Sequence, residues 1–286
     1  MYPARFSYEA PRELDEALAL LHEHGDEAKV LAGGQSLVPL MKLRFAAPAL
    51  LVDINNLPGL DHHEVDADGN LHVGALCRHV TLERSDLLRE KQPTMAAAAP
   101  LIADPIVRNR GTLVGSLCHA DPQGDWASVV LALDGSIVAA GPAGRRSIPA
   151  RDFVLGPFQN ALAPDEIAVE AVIPAPRGTP SGGYLKLERR VGDFATVGVA
   201  VAVDIAADGR VTRAGIALTG VGGATIDCAD AADALLGRSL DAETIEEAAK
   251  LAARDARPKS DHRGSARYKR HMVHTFVVRA LEGTTR

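Results

Sequence analysis

The sequence has few cysteines, no long apolar run and no excess of positive charge. Cys77, Cys118 and Cys228 are odd in number and widely spaced along 286 residues, which excludes a disulfide framework and a CxxC-type metal site. No stretch approaches the roughly 20 apolar residues that span a bilayer, and residues 1–6 lack the apolar core of a secretory signal. We therefore expect a cytoplasmic protein without a transmembrane segment.

The charge balance is acidic, with a formal net charge of −6 at pH 7. A nucleic-acid surface would call for a basic stripe, so we expect no nucleic-acid partner. Hydrophobic residues make up 47% of the chain and charged residues 24%, which is ordinary for a packed core. The length allows one large or two moderate domains.

A loop of small residues follows the predicted buried strand that ends at Leu31. Its five residues are Ala32, Gly33, Gly34, Gln35 and Ser36. Small side chains let the backbone approach an anion closely, but no Gly-Lys-Ser/Thr follows, and the spacing is not the GxGxxG of a Rossmann turn. A tight strand-to-loop connection without a ligand is the alternative that this loop alone leaves open.

A second loop of small residues runs from Gly111 to Ser116. Thr112 and Ser116 offer hydroxyl groups, and Asp121 and Asp125 downstream offer acceptors suited to ribose or ribityl hydroxyls. Taken alone, the region also fits an irregular surface loop rich in turn-forming residues. Two such loops can line both sides of a pyrophosphate, so together they predict a bound dinucleotide.

Helix-like and strand-like patterns alternate in the first part of the chain. The spacing of apolar residues predicts a helix over 11–25, strands over 50–54 and 71–75, and a helix-to-strand passage over 129–140. The Pro- and Gly-rich stretch 177–183 predicts an exposed link between domains. The sequence thus favours an α+β architecture with domains at 1–177 and 178–286.

The second domain is predicted as a three-stranded sheet packed on helices. Residues 196–205 and 211–218 look like paired strands, and 240–254 carries one apolar helical face. In the last helix Tyr268, Met272 and Phe276 recur every four residues, which predicts that this stripe lies in the core.

Five motifs in order resemble the FAD-binding medium subunit of the carbon monoxide dehydrogenase and xanthine dehydrogenase family of molybdenum hydroxylases. The likeness extends from the first residues to near Arg279. The motifs are Ala32–Ser36, Arg108–Thr112, Gly115–Pro122, Gly192–Ala195 and Ser260–His271.

The resemblance implies a non-Rossmann, PCMH-type domain whose two α/β halves grip FAD, followed by a smaller domain that covers the flavin. It places Lys186 near the polar edge of the isoalloxazine, where a cation favours the anionic reduced flavin, and Phe194 against the ring. By resemblance, the pyrophosphate loop and the second FAD-contacting segment comprise Ala32, Gly33, Gly34, Gln35 and Ser36, and Thr112, Gly115, Ser116, His119 and Asp125.

One position departs from the family pattern. Val114 stands where most relatives have the first Gly of a Gly-Gly pair, and a branched residue tolerates positive φ poorly. We therefore expect a tilted loop or weaker FAD binding at this point, which keeps a non-catalytic assembly subunit in view as an alternative.

No residue of this chain stands out for acid–base work on a substrate, so we predict no catalytic side chain. The resemblance implies an electron-transfer flavoprotein that receives electrons from a small [2Fe–2S] subunit, works beside a large molybdopterin subunit, and assembles as a dimer of heterotrimers. A self-sufficient FAD-dependent oxidase or reductase is the second alternative. The basic cluster of Arg263, Arg267, Lys269 and Arg270 fits a partner surface or a solvated helix terminus equally well.

Overall fold

The computed structural model describes residues 2–284 and is built of helices and sheets in both parts of the chain. The first part begins with a parallel sheet in the order β1-β3-β2. Its strands alternate with helices, as parallel neighbours require. The elements are β1 (Ser7–Glu9), α1 (Leu14–His24), β2 (Ala28–Leu31), α2 (Leu37–Lys42) and β3 (Leu50–Asp53).

A five-stranded antiparallel sheet in the order β4-β5-β10-β6-β7 forms the second half of this first part. Its strands are β4 (His63–Val65), β5 (Leu71–Gly74), β6 (Ser136–Gly141), β7 (Gly144–Pro149) and β10 (Ile167–Ile173). A small hairpin consists of β8 (Val154–Gly156) and β9 (Gln159–Asn160). The helices are α3 (His79–Glu83), α4 (Asp86–Lys91), α5 (Pro93–Ala98), α6 (Pro105–Arg108), α7 (Leu113–His119), α8 (Asp125–Ala132) and α9 (Ala150–Phe153).

The last part of the chain is an antiparallel sheet covered by helices, which confirms the predicted fold class. Its strands are β11 (Thr179–Leu187), β12 (Val197–Ile205), β13 (Val211–Thr219) and β14 (Ile226–Asp227). Its helices are α10 (Ala229–Asp233), α11 (Ala242–Asp255) and α12 (Ala266–Gly283). The three long strands match the predicted three-stranded sheet, and the two-residue β14 extends it to four.

The central strand β12 is buried on both faces. Its valines at alternate positions, such as Val199 and Val201, pack against the helices of the last part, whereas Ala200 and Ala202 face the core of the first part. Small residues on that second face allow a close approach: a Cβ at Gly215 of β13 would overlap the carbonyl oxygen of Ala132. The first part and the last part therefore share a tightly packed interface.

The predicted exposed link over 177–183 is wrong for most of its length. Residues from Thr179 onward belong to β11, where they pair with β12 along its whole length. Gly182 lies so close to Thr94 and Val201 that a Cβ there would overlap both residues. Glycine in the stretch 177–183 therefore marks a strand that packs closely against its neighbours, and not only a turn.

The predicted core stripe of the last helix is also partly wrong. Phe276 is buried, but Tyr268 is 44% exposed and Met272 only partly buried. The buried face of α12 includes Val273 and Val277, which lie one position along from the predicted stripe. By contrast, the apolar face predicted for α11 is buried throughout.

Candidate functional site

The two small-residue loops are in direct contact. Gly33 of the first loop lies against the backbone of Arg110 and Gly111 at the start of the second, and a Cβ at Gly33 would overlap the Arg110 carbonyl oxygen. The φ angle of Gly33 is not in the left-handed region, so glycine is required here for space rather than for conformation. The structure thus brings together the two loops that the sequence predicted as a pair.

Gly34 is required for a different reason. Its φ is +74°, a conformation that residues with a Cβ rarely adopt. Gln35 and Ser36 then turn the chain into α2. Within residues 2–284, the main-chain N–H groups of Gly34, Gln35 and Ser36 have no hydrogen-bond acceptor. All three residues are half-buried, so these groups remain accessible to a ligand. This loop therefore offers several free donors to an anion.

The second loop is the beginning of helix α7. Thr112 caps it, because the Thr112 hydroxyl oxygen accepts a hydrogen bond from the Gly115 N–H at 3.0 Å. A Cβ at Gly115 would come within 2.7 Å of that same oxygen, so the cap needs glycine at this position. Ser116 lies half-buried one residue further along.

The tilted loop expected at Val114 is wrong, while the effect of Val114 on FAD affinity stays a prediction. Val114 lies in the first turn of α7 with helical backbone, and its side chain is 2% exposed within the core of the first part. It therefore neither needs a positive φ nor points toward the loop surface. The reason is that the region forms a capped helix, and a branched residue fits a helix side that faces the core.

We expect Val114→Gly to destabilise the protein by about 3 kcal/mol, because the change leaves a cavity and places glycine inside a helix. Urea unfolding of the variant and the unaltered chain measures this loss. FAD titration should show no gain in affinity. Tighter binding with unchanged stability would contradict the helical placement of Val114.

Arg78 and Asn55 connect the two loops through hydrogen bonds to the main chain. The Arg78 guanidinium donates to the Arg110 carbonyl of the second loop and to the side-chain oxygen of Asn55. The Asn55 amide nitrogen in turn donates to the Ala32 carbonyl at 2.8 Å. Sequence reasoning missed both residues, because neither belongs to a motif and their partners are main-chain carbonyls.

His79 supports the second loop at Gly111. A Cβ at Gly111 would come within 2.8 Å of the His79 ring, and the main-chain N–H of His79 donates to the Gly111 carbonyl at 3.0 Å. Burial lowers the pKa of His79 to about 4, with a smaller contribution from nearby Arg charges. The ring is thus neutral, and its Nδ1 accepts the indole N–H of Trp126 at 3.0 Å. Sequence reasoning also missed this pair.

Asp125 and Lys186 form a buried ion pair between the two parts of the chain. Asp125 begins α8, and its carboxylate accepts Lys186 Nζ at 2.9 Å and the Tyr184 hydroxyl. The Lys186 side chain is 2% exposed and that of Asp125 is 7% exposed; Lys186 Nζ also donates to the Leu101 carbonyl at 3.0 Å. Burial raises the pKa of Asp125, and the Lys186 charge opposes that rise.

These contacts differ from the predicted ones. Asp125 was predicted to recognise FAD hydroxyls and Lys186 to lie at the polar edge of the flavin, yet each already has protein partners. Both carboxylate oxygens of Asp125 accept a hydrogen bond, and Lys186 Nζ faces inward to α8. Direct contact of either side chain with FAD stays a prediction.

Phe194 is held in a tied loop with half of its surface exposed. The Asp193 carboxylate accepts the Phe194 N–H at 2.9 Å and Arg189 Nε at 3.1 Å, which fixes the turn. Gly192, at φ +84°, packs on the carbonyl of Ala103. An exposed aromatic ring on a fixed loop fits the predicted place against a flat ring system.

Arg108 fixes the Ala103 turn, against which Gly192 packs. Its guanidinium donates to the carbonyls of Ile102 and Ala103 at 3.0 and 2.9 Å and pairs with Glu83 at 2.8 Å. The motif containing Arg108 and the one containing Phe194 therefore meet through the Ala103 turn. This arginine has a structural role in the protein.

His119 ends α7 beside the hairpin of β8 and β9. Its ring lies 5.2 Å from that of Phe158, and burial lowers the pKa of His119. The Phe158 N–H donates to the Ala120 carbonyl at 2.9 Å, so the hairpin is tied to the end of the helix. His119 is thus a neutral, half-buried neighbour of the second loop.

The basic cluster of the last part is only partly a surface. Lys269 is buried and pairs with Asp261 at 2.7 Å, and Arg263 is mostly covered against the Phe194 loop, with Nη1 3.4 Å from the Phe194 carbonyl. Arg267 and Arg270 are exposed. Of this cluster, only Arg267 and Arg270 are available to a partner surface or to solvent, because Lys269 and Arg263 make contacts within the protein.

The structure has neither a metal-ligand cluster nor a membrane-spanning helix within residues 2–284. Among residues 2–284, no three His, Cys, Asp or Glu side chains are grouped so that they could hold a metal ion. Burial raises the pKa of all three cysteine thiols. In the same part of the chain, no helix has both the length and the apolar character needed to cross a bilayer.

Comparison with protein families accounts for most of the chain. Residues 4–176 match the FAD binding domain in molybdopterin dehydrogenase, and residues 183–284 match the CO dehydrogenase flavoprotein C-terminal domain. The chain is an FAD-binding medium subunit of the molybdenum hydroxylase family. FAD is accordingly its cofactor, and its class is oxidoreductase.

Individual relatives of this family cover nearly the whole chain. The carbon monoxide dehydrogenase medium chain of Hydrogenophaga pseudoflava is 40% identical over 282 residues, which are 98% of this chain and 97% of that one. The nicotine 6-hydroxylase medium subunit of Paenarthrobacter nicotinovorans is 38% identical over 275 residues, with 96% and 95% covered. These relatives belong to enzymes named for chemically unrelated substrates.

A solved structure of the carbon monoxide dehydrogenase from Hydrogenophaga pseudoflava, lacking the Mo-pyranopterin moiety, superposes with a TM-score of 0.94. The sequence identity is 41%, and 100% of this chain and 99% of that chain are covered. The arrangement of both parts of the chain is therefore that of the family.

Proposed function

We propose that this protein is the electron-transfer subunit of a molybdenum hydroxylase complex, which passes electrons from a [2Fe–2S] subunit through FAD to an external acceptor. The contact between the two small-residue loops is the observation that carries this proposal. At Gly33 and Gly111 there is no room for a Cβ, and beside them are free N–H donors. Such a pair of loops is built to bring backbone close to a phosphate group.

The loop residues are proposed to hold the pyrophosphate and neighbouring parts of FAD. Main-chain N–H groups and small hydroxyls would bind the phosphate oxygens, and Arg78 and Arg110 add positive charge nearby. The two arginines are close enough to interact, because burial and, secondly, the Arg110 charge lower the pKa of Arg78. The residues proposed to contact FAD here are Ala32, Gly33, Gly34, Gln35, Ser36, Thr112, Gly115, Ser116 and His119.

At the flavin end, Phe194 is proposed to lie against the isoalloxazine ring. Asp125 and Lys186 are proposed to stabilise the part of the protein that holds the flavin ring, because their side chains join α8 to β11. The division of the chain at residue 177 is supported by family matches that end at 176 and begin at 183. The last part then covers the flavin, as the predicted organisation requires.

FAD would accept two electrons and release them singly, which lets a two-electron oxidation on another subunit feed a separate acceptor. The protein would bind and orient FAD and exclude water around it. The names of the relatives as medium chains and medium subunits support a molybdopterin-containing large subunit and a [2Fe–2S] small subunit as partners. A dimer of heterotrimers in the cytoplasm is the proposed assembly.

The two alternatives are less well supported. A non-catalytic assembly subunit rested on Val114, which the structure places in the core. A self-sufficient oxidase would need a substrate base beside the flavin, and the buried Asp125 carboxylate proposed at that end is occupied by Lys186 at 2.9 Å and by the Tyr184 hydroxyl.

We expect the full chain produced alone to bind one FAD noncovalently, and the chain released from its native complex by denaturation to yield FAD. With carbon monoxide or nicotine as probes, the lone chain should not reduce its flavin. Copurification should show the two partner subunits. Extraction of FMN or of no flavin, or reduction of the lone chain's flavin at a catalytic rate, would contradict the proposal.

A further inference from the structure

The spacing between the two loops depends on a short relay of hydrogen bonds. It begins at the Arg110 carbonyl and runs through the Arg78 guanidinium and the Asn55 side chain to the Ala32 carbonyl. Asn55 is itself held by Asp53, whose carboxylate accepts the Asn55 main-chain N–H at 2.9 Å. Each hydrogen bond of the relay thus restrains the position of the next donor or acceptor in it.

The relay is anchored at both ends in regular structure. Asp53 ends the strand β3, and its second carboxylate oxygen accepts the Tyr8 hydroxyl at 2.6 Å. Arg78 precedes α3 and forms a β-bridge with Thr112, the cap of α7. A rigid connection therefore runs from the parallel sheet of the first half to the helix that carries the second loop.

Such a connection decides how far apart the loops lie. Their only direct meeting point described above is the contact at Gly33, which resists approach but does not resist separation. The relay supplies the opposing restraint, because a separation of the loops would break the hydrogen bonds at both carbonyls. Hydrogen bonds that involve a charged group are stronger than neutral ones, which suits Arg78 to this position.

We infer that Arg78, acting through Asn55, is a positioning residue for FAD that sets the spacing of the two pyrophosphate-binding loops. This inference rests on the proposed assignment of those loops to the FAD pyrophosphate. Arg78 does not need to touch FAD, because its hydrogen bond to the Arg110 carbonyl and, through Asn55, the hydrogen bond to the Ala32 carbonyl hold the backbones of the two loops at a fixed distance.

The test uses the full chain stripped of FAD, in which FAD affinity is measured by flavin fluorescence for Arg78→Ala, Asn55→Ala and the double variant. We expect each single variant to bind FAD about 10- to 100-fold more weakly. The double variant should lose little more than either single variant, because both residues act in one relay. Guanidinium added below unfolding concentrations should restore affinity to Arg78→Ala by filling the vacated space.

Arg146→Met is the matched control, since Arg146 also joins a carbonyl, that of Ala161, to a side chain, that of Glu166. It lies on β7, outside both loops, and should leave FAD affinity unchanged. Gly34→Val, which is strained at its φ of +74°, tests the loop assignment itself. Normal affinity in Gly34→Val would remove the proposed function's pyrophosphate site.

If Gly34→Val loses affinity while Arg78→Ala binds FAD normally, the loop assignment stands and the inference about Arg78 is overturned. Additive losses in the double variant, together with no response to guanidinium, would also overturn it, because a general loss of stability explains that outcome. Rescue by guanidinium with non-additive losses is the result that only a positioning role predicts.

Discussion

Replacing Lys186 with methionine is expected to lower the free energy of unfolding by about 3–5 kcal/mol, the cost of leaving a buried charge without its partner. In this variant the Asp125 carboxylate keeps the Tyr184 hydroxyl but loses its cation, at a site where 7% of its side chain is exposed. Asp125→Ala leaves the Lys186 ammonium equally buried, but with the Leu101 carbonyl and the Glu188 carboxylate at 3.6 Å as remaining partners, so we expect its loss at the lower end of this range. Urea unfolding of each variant stripped of FAD measures these losses, so that changes in FAD affinity do not enter them.

The double variant Asp125→Leu with Lys186→Met separates the charge effect from the packing effect. Replacing both charges by apolar groups removes their desolvation cost, so we expect the double variant to recover part of the lost stability; the cost that remains is that of Glu188, which loses the Lys186 ammonium at 3.6 Å. Lys250→Met is the control: Lys250 pairs with Glu246 at 3.1 Å on the exposed side of α11 and should contribute under about 1 kcal/mol. Additive losses in the double variant would contradict a coupled pair.

The same variants distinguish support of the flavin end from direct contact with FAD. The pair joins α8 to β11, so each single variant should weaken FAD binding by loosening that junction. If Asp125 and Lys186 only support the flavin end, the double variant should recover FAD affinity together with stability. Recovery of stability alone would show that these side chains touch FAD, as the family resemblance implies.

The first-loop glycines show what the sequence can predict. Gly33 and Gly34 were identified because a strand followed by small residues is a local pattern, and the second run of small residues at Gly111–Ser116 was paired with that loop because two such loops can line a pyrophosphate. The structure adds that the two glycines differ: Gly34 needs its φ of +74°, whereas Gly33 needs only space. The need for space at Gly33 comes from Arg110, about 77 positions later in the sequence. A contact over such a distance depends on how the chain closes a long loop, which no local pattern encodes.

Other parts of the site were not predictable for physical reasons. Asn55 and Arg78 donate to main-chain carbonyls, which every residue possesses, so nothing in their partners' identities marks them. Val114 was misread because a Gly-rich motif suggests a loop, while the Thr112 cap and the apolar side chains after it form a helix. The two partners of Asp125, Lys186 and the Tyr184 hydroxyl, lie on β11, about 60 positions later, so no local pattern shows that its carboxylate is already occupied.

The last helix shows a limit of apolar spacing. Tyr268 and Phe276 share a helical stripe, yet only Phe276 is buried, and Lys269 takes a buried position beside Tyr268. A lysine can occupy the core side because its ammonium reaches Asp261 at 2.7 Å and the Lys259 carbonyl at 3.0 Å. Spacing of apolar residues cannot show this, because the stabilising partner lies in the preceding loop.

Gly33→Ala should abolish tight FAD binding, although it adds only one methyl group. The new Cβ would overlap the carbonyl oxygen of Arg110 and lie 2.8 Å from Gly111 Cα, and backbone atoms cannot move aside as a flexible side chain can. The loops must then separate, which costs about 1–3 kcal/mol as overpacking and strains the link from Arg78 to Ala32. We expect FAD affinity to fall by about 100-fold or more as donors leave the phosphate groups.

Gly223→Ala is the control for this last change, because a Cβ at Gly223 would meet no atom within 4 Å and its φ is outside the left-handed region. Both variants are compared by FAD titration and by unfolding without FAD. A fall in affinity much larger than the loss of stability places the defect of Gly33→Ala at the loops, since FAD binding depends on their spacing and general packing does not. Normal FAD affinity in Gly33→Ala would show that the loops do not approach the pyrophosphate together, and the proposed site would have to be moved.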